Sequence, residues 1–111
     1  MGRHDNDRLQ GTLDLLVLKV LATRGRMHGY GITLQIQQIS REELRVEEGS
    51  LYPALHRMAQ DCLISAEWGT TENKRRARYY EITAAGLDRL KQEEANWARL
   101  TSAVARFLQY A

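Results

Sequence analysis

Apolar residues of this chain recur at helical spacing in four segments, and the stretch between the third and fourth segments alternates instead. The pattern predicts helices over about residues 12–24, 30–39, 48–61 and 84 to nearly the end, and strands over about 63–68 and 79–82. The polar turn GTTENKRR joins the strands. The chain is therefore predicted to be mainly α-helical with one small β-hairpin.

The first predicted helix is apolar on most of its circumference. Thr12 is its predicted N-cap and Gly25 its predicted stop. Its two apolar stripes are Leu13, Leu16, Val17, Val20 and Leu21, and Leu15, Leu18 and Ala22. Such a helix must be covered on more than one side, and in a domain this small we expect one cover to come from a partner subunit.

The next two helices have narrower apolar faces. The predicted core positions are Ile32, Ile36 and Ile39, then Leu51, Leu55 and Met58. Pro53 fits within the first turns of the third helix, where a missing N–H costs little. In the charged connector SREELRVEEG, Leu44 and Val46 either form a short strand or pack under the core.

Length, charge and cysteine count limit the classes of protein to which this chain can belong. The 111 residues most simply form one domain, and a net charge of +2 does not by itself indicate nucleic-acid binding. Cys62 is followed by apolar residues and is predicted to be a small buried core residue, and a single cysteine fits a reducing cytoplasm. The first residues lack the apolar segment of a signal peptide, and no apolar block is long enough to span a membrane.

The third helix carries a polar face opposite its core face. Gly49, Tyr52, Pro53 and His56 share this face at helical spacing, and Arg57 flanks them. The candidate contact residues are Ser50, Tyr52, Pro53, His56 and Arg57. Ser50 and Tyr52 can donate to phosphate oxygens, Gly49 permits close approach, and His56 and Arg57 can reach base edges or backbone. The alternative is an ordinary solvated face with Tyr52 half packed, and the helix alone does not decide between them.

The hairpin turn is strongly basic. Its candidate phosphate or minor-groove residues are Asn73, Lys74, Arg75 and Arg76, with Arg78 on the same strand face as Arg76. A solvated, charged hairpin tip is the alternative. Trp68 is predicted to be a core or cross-strand packing residue rather than a platform for bases. A compact helix followed by a cationic hairpin is typical of a winged helix-turn-helix, and the combination favours DNA binding.

Several motifs together resemble the PadR family of bacterial transcriptional regulators. They are HGYGI, GSLYPALHRM, the following LI and W, and NKRRARYYEIT, and the resemblance covers residues 9 to 110. It implies a dimeric winged-helix repressor of the short-tailed branch, with a DNA-binding domain over 9–83 and a single C-terminal dimerisation helix over 84–111. Its partners would be a second copy and double-stranded DNA with a pseudo-palindromic operator. Glu48 stands where many relatives have Pro, which places a carboxylate near the expected phosphates.

The last helix shows an interrupted heptad seam. Its positions are Leu87, Leu90, Glu94, Trp97, Thr101, Val104 and Leu108. One interpretation is that Trp97 simply packs in the dimer interface. The family resemblance implies another, in which paired Trp97 indoles enclose a slot for a planar hydrophobic effector. Leu15, Leu90 and Thr101 are then the matching wall positions.

Catalytic and metal chemistry are not indicated. The histidines and Cys62 lack metal-ligand spacing, HGYGI lacks the strand–helix context of a dinucleotide fingerprint, and no nucleophile–base arrangement is visible. We therefore expect no enzyme activity, cofactor or metal. The predicted function is that of a sequence-specific DNA-binding repressor, relieved by a ligand or partner. The alternative is a winged-helix module that contacts proteins and does not bind DNA.

Overall fold

The computed structural model describes residues 3–110 of the chain, with side chains from residue 11 onward. Its elements are α1 (Arg3–Arg24), β1 (Met27–His28), α2 (Gly29–Ile39), α3 (Glu48–Gln60), β2 (Ile64–Thr70), β3 (Arg76–Ile82) and α4 (Ala84–Gln109). The predicted winged helix-turn-helix with a long final helix is confirmed. The predicted start of α1 at Thr12 is wrong, because the helix already begins at Arg3. Residue 111, the predicted end of the last unit, lies outside the described residues.

A three-stranded antiparallel sheet forms the base of the wing. The strand order is β1-β3-β2, and Met27 of β1 pairs with Tyr80 of β3. The two-residue β1 was not predicted, because a pair of residues carries no measurable periodicity. Of the two alternatives for the connector, packing is the one found: Val46 packs half-buried against the core, whereas Leu44 is largely exposed.

The core lies where α1, α2, α3 and the sheet meet. Its buried apolar residues include Val17, Leu18, Leu21, Ile32, Ile36, Leu51, Leu55, Met58, Leu63, Ile64, Tyr80 and Leu90. The predicted core faces of α2 and α3 are therefore confirmed with one exception. Ile39 is exposed, because it is the last residue of α2 and lines an open cleft beside α1.

Two helices end in a left-handed turn without glycine. After α3, the Cys62 N–H donates to the Ala59 carbonyl at 3.1 Å and the Leu63 N–H to the Met58 carbonyl at 2.9 Å, which is the Schellman pattern. Cys62 has a φ of 62° and is exposed, so its predicted burial is wrong. The cysteine occupies the turn position that directs Leu63 into the core, and its own side chain points outward.

The helices α1–α3 and the sheet form the winged unit. The first half of α4 packs on this unit, and the second half extends away from it. Thr83 caps the helix by accepting a hydrogen bond from the Gly86 N–H at 3.0 Å, as predicted. Gly86 lies directly against the Leu63 carbonyl, where a Cβ would clash with backbone. Glu94 forms an ion pair with Lys19 of α1 at 2.7 Å. Within residues 3–110, no helix is both long and apolar enough to cross a membrane.

Candidate nucleic-acid interface

The polar face of α3 is exposed along its length. Leu51, Leu55 and Met58 are turned into the core. The opposite side therefore presents the predicted contact residues Tyr52, Pro53 and His56 to solvent, and their shared face is a direct consequence of helical spacing. Ser50 is also exposed, but it lies at the helix start in a cleft lined by Leu13 and Leu16 of α1.

Tyr52 is held in place by the start of α2. Its ring lies so close to Gly29 that a Cβ added there would stand 2.7 Å from the phenol oxygen. Partial burial, with the nearby Glu48 carboxylate second, raises the pKa of Tyr52 above its ordinary value. The hydroxyl is therefore neutral and able to donate a hydrogen bond at physiological pH.

His28 of the HGYGI segment has a capping role that was not predicted from the sequence. Its Nδ1 atom accepts a hydrogen bond from the Gly31 N–H at 3.1 Å and so caps α2. The histidine ring also packs edge-on against Tyr79 of the wing, with 5.4 Å between centroids. His28 thereby joins the start of α2 to the sheet. A polar residue directly before the first helical residue was the available signal.

Arg57 points toward α1. Its guanidinium donates to both carboxylate oxygens of Asp14, at 2.9 and 2.8 Å. Asp14 is only 8% exposed, and its hydrogen bonds are the main cause that raises the pKa of Arg57. The predicted reach of Arg57 to DNA stays a prediction. In this structure the guanidinium instead ties α3 to α1.

The wing turn is closed by hydrogen bonds of Thr71. Its N–H donates to the Arg75 carbonyl at 2.8 Å, its carbonyl accepts from the Lys74 N–H at 2.9 Å, and its hydroxyl accepts from the Arg75 N–H at 3.2 Å. Asn73, Lys74 and Arg75 are exposed at the apex, as predicted. Lys74 has a φ of 63°, so the turn holds the lysine in a left-handed conformation.

Trp68 packs against arginines of the wing. The Arg76 guanidinium carbon lies 4.7 Å and that of Arg78 lies 5.4 Å from the centre of the indole. Of the two predicted roles, core residue or cross-strand packing residue, cross-strand packing is the one found, since the side chain is 58% exposed. It lies on the same face as the buried Tyr80 but farther toward the hairpin tip.

A groove of about 700 Å³ separates α3 and the start of α2 from the wing. Its side chains include Tyr30, Tyr52, Trp68, Arg75, Arg76 and Arg78. The described lining carries three arginines and no carboxylate. This combination of cationic and aromatic side chains suits a phosphate backbone next to an inserted helix.

A second cleft of about 280 Å³ lies between α1 and α4. Leu15 and Trp97, two of the predicted effector positions, both line it, together with Leu100 and Glu93. Leu90 is buried in the core of the subunit, and Thr101 donates its hydroxyl to the Trp97 carbonyl at 2.9 Å. The single subunit therefore brings two of the four predicted wall residues together.

The outer half of α4 exposes a continuous apolar surface. Its members are Trp97, Leu100, Val104, Phe107 and Leu108. The heptad seam predicted Trp97, Val104 and Leu108 but missed Leu100 and Phe107. A strict alternation of three and four residues selects one register, whereas the exposed surface is wider. Within residues 11–110, no cluster of His, Cys, Asp or Glu side chains has the arrangement of a metal site.

Comparison with known proteins places these features in context. The model of the transcriptional regulator PadR-like family matches residues 17–92. A transcriptional regulator from Clostridium thermocellum is 29% identical and superposes with a TM-score of 0.82, over 93% of this chain and 99% of that chain. A PadR family regulator from Eggerthella lenta is 30% identical with a TM-score of 0.76, over 94% of this chain and 88% of that one. A Mycobacterium tuberculosis transcriptional regulator is 36% identical over 72 residues, which span 65% of this chain and 64% of that protein.

Proposed function

Because the chain belongs to the PadR-like family of transcriptional regulators, we propose that it is a homodimeric, sequence-specific DNA-binding repressor. The observation that carries this proposal is the groove in which the exposed face of α3 and the basic wing meet. We assign residues 9–83 to the DNA-binding unit and residues 84–111 to the dimerisation helix.

In the proposed complex, α3 enters a major groove and the wing tip contacts the adjacent backbone or minor groove. Tyr52 and His56 are exposed where they can reach the operator, and Ser50 lies near the helix start, where phosphates approach closely. Lys74 and Arg75 at the wing apex supply charge that every DNA sequence attracts equally. The two kinds of contact predict different effects of substitution.

The proposed dimer uses the exposed apolar surface of α4. Phe107 is 75% exposed and Leu108 is 76% exposed, and side chains of this size and polarity favour burial against a second chain. Truncation after Ala95 removes this surface and is expected to abolish dimerisation, read out by sedimentation. A stable folded dimer of the truncated chain would show that the interface lies elsewhere.

Repression would follow from steric exclusion of polymerase at the operator. Relief requires an effector or partner that binds one separation of the two α3 helices better than another, since equal affinity shifts no equilibrium. The cleft containing Leu15 and Trp97 is the proposed effector site because it lies between α1 and the dimerisation helix.

Salt titration of DNA binding tests the central proposal, with the promoter upstream of the chain's own gene as the probe. The Lys74→Ala, Arg75→Ala double variant is expected to weaken binding to operator and random DNA alike. The slope of log affinity against log salt should become shallower by about 0.9 for each phosphate that the variant no longer neutralises. Tyr52→Phe or His56→Ala should instead act mainly on the operator.

The matched control removes two exposed charges outside the groove, in Arg24→Ala, Lys91→Ala. It should leave the salt slope nearly unchanged. Equal affinity of the wing variant and the wild type would remove the wing from the interface. A wild-type protein without DNA affinity at low salt would favour the alternative, a protein-contact module.

A further inference from the structure

Trp68 stands beside two arginines because of the strand register. It pairs directly with Arg78 across the hairpin, while Thr70 pairs with Arg76. Arg76 is therefore the diagonal neighbour of Trp68 on the same face, which long and aromatic side chains can span. One indole consequently contacts both guanidinium groups.

Arg26, which precedes β1 and packs on the opposite face of the hairpin, has a different environment. Arg26 lies over the Tyr79 ring at 4.4 Å and also contacts the Glu67 carboxylate at 3.4 Å. Within residues 11–110, no carboxylate forms an ion pair with Arg76 or Arg78. Both guanidinium groups lie over the Trp68 indole, and both side chains line the groove beside α3.

A stacked guanidinium uses its face for the ring and keeps its N–H donors available in the plane. A free arginine side chain must lose much of its rotamer freedom when it contacts a phosphate. If stacking restricts the side chain beforehand, less freedom is lost at the moment of binding.

We propose that Trp68 is a positioning residue that pre-orders Arg76 and Arg78 for phosphate contacts in the groove. This inference rests on the proposed DNA-binding function. It assigns Trp68 an effect on affinity through the arginines and requires no contact between the indole and DNA.

The first test needs no DNA. In NMR spectra of the free protein, the Nε–H protons of Arg76 and Arg78 should show upfield ring-current shifts in the wild type. These shifts should disappear in Trp68→Leu and be largely retained in Trp68→Phe. Unchanged arginine signals in Trp68→Leu would overturn the stacking arrangement, whether or not the protein binds DNA.

The second test measures operator affinity and its salt slope. Trp68→Leu keeps every charge, so affinity is expected to fall about five- to thirty-fold, as two side chains must now be ordered on binding. The salt slope should stay close to that of the wild type. Arg78→Ala, by contrast, should lower affinity and make the slope shallower.

A double-mutant cycle separates positioning from loss of the fold. Arg76→Lys, Arg78→Lys keeps the charge but loses the planar group that stacks, and both sites are exposed. In this background Trp68→Leu is expected to lower operator affinity less than two-fold. A full additive loss would overturn the inference. Absence of DNA binding by the wild type would contradict the proposed function itself, and the NMR result would still report on the stacking.

Discussion

The ion pair between Asp14 and Arg57 ties α3, the helix proposed to enter the major groove, to α1. Asp14 lies on α1 one residue before Leu15, which lines the second cleft. Arg57 lies on α3 one residue after His56, whose side chain is exposed on the proposed DNA-facing side. A bidentate ion pair between Asp14 and Arg57 restricts rotation of α3 more than a single hydrogen bond would.

Removal of the arginine should therefore cost stability. Arg57→Ala removes both hydrogen bonds from the largely buried Asp14 carboxylate. We therefore expect the free energy of unfolding to fall by about 1–3 kcal/mol. Urea unfolding at fixed protein concentration measures the change, because a dimer's stability depends on concentration.

The control for this prediction is the double variant Asp14→Leu, Arg57→Met. It removes both charges and should recover much of the lost stability, since an apolar pair avoids desolvation. If Arg57→Ala unfolds at the wild-type urea concentration, the pair carries no structural role.

Single residues also mark the limit of sequence-based inference in this chain. Alternation correctly placed Arg76 and Arg78 on one strand face, because alternation is a local property. Alternation did not reveal that Trp68 is exposed, because the core covers that face at Tyr80 but not farther toward the hairpin tip. The partner of Arg57 was equally hidden, since Asp14 is 43 residues away in sequence and only the packing of α1 on α3 brings them together.

At the scale of the elements, short turns end two of the helices and set the direction in which the chain leaves them. Both α2 and α3 end with a non-glycine residue in a left-handed conformation, Arg41 at a φ of 56° and Cys62 at 62°. At each end the following N–H donates back to a carbonyl in the last turn of the helix, from Glu42 to Gln37 and from Leu63 to Met58. Glycine usually takes this place because it lacks a Cβ.

Replacement of the cysteine by glycine should consequently stabilise the protein. Cys62 is exposed and its side chain adds no core packing. We expect Cys62→Gly to raise the free energy of unfolding by about 0.5–1 kcal/mol through relief of the left-handed strain. Cys62→Ala keeps the Cβ and should be nearly neutral in the same urea titration. A destabilised glycine variant would show that the turn tolerates cysteine without strain.

Elements with long periodic patterns were predictable, and their ends were less so. The core faces of α3 and the cap of α4 follow from side chains within one helix, so the sequence reveals them. The glycine-based rule for helix ends found Gly25, which has a φ of 88°, but not the turn at Cys62. The exposure of Ile39, at the end of α2, depends on how neighbouring elements pack around it. No local sequence pattern records that packing.

At the scale of the whole molecule, α4 carries apolar surface that the single winged unit leaves open, and Leu15 and Leu16 of α1 are only half-buried. The subunit is elongated, at 58 by 29 by 28 Å. The long α4 places its apolar half outside the unit that contains the core. The sequence predicted this need for cover from the spacing of apolar residues along the first and last helices. It did not predict the width of the surface, because heptad spacing assumes one narrow seam.

The same long-range arrangement leads to a prediction about the effector. The cleft that holds Leu15 and Trp97 also contains the Glu93 carboxylate, which would attract a positively charged ligand. An exposed indole offers a face on which a planar aromatic compound can stack. A planar cationic dye should therefore bind here, and binding should lower operator affinity if the dye prefers one arrangement of α1 and α4.

Trp fluorescence measures the binding step. Trp68→Phe leaves Trp97 as the reporter, and its emission should be quenched saturably by the dye. Trp97→Leu leaves Trp68 instead and should show no saturable quenching, which excludes nonspecific effects. In the wild type, operator affinity should fall over the same dye concentrations, because only a ligand with unequal affinity for the two states changes their balance. Quenching without loss of operator affinity would mean that the cleft binds ligands but does not regulate. The absence of saturable quenching would leave Trp97 as a residue of the dimer interface alone.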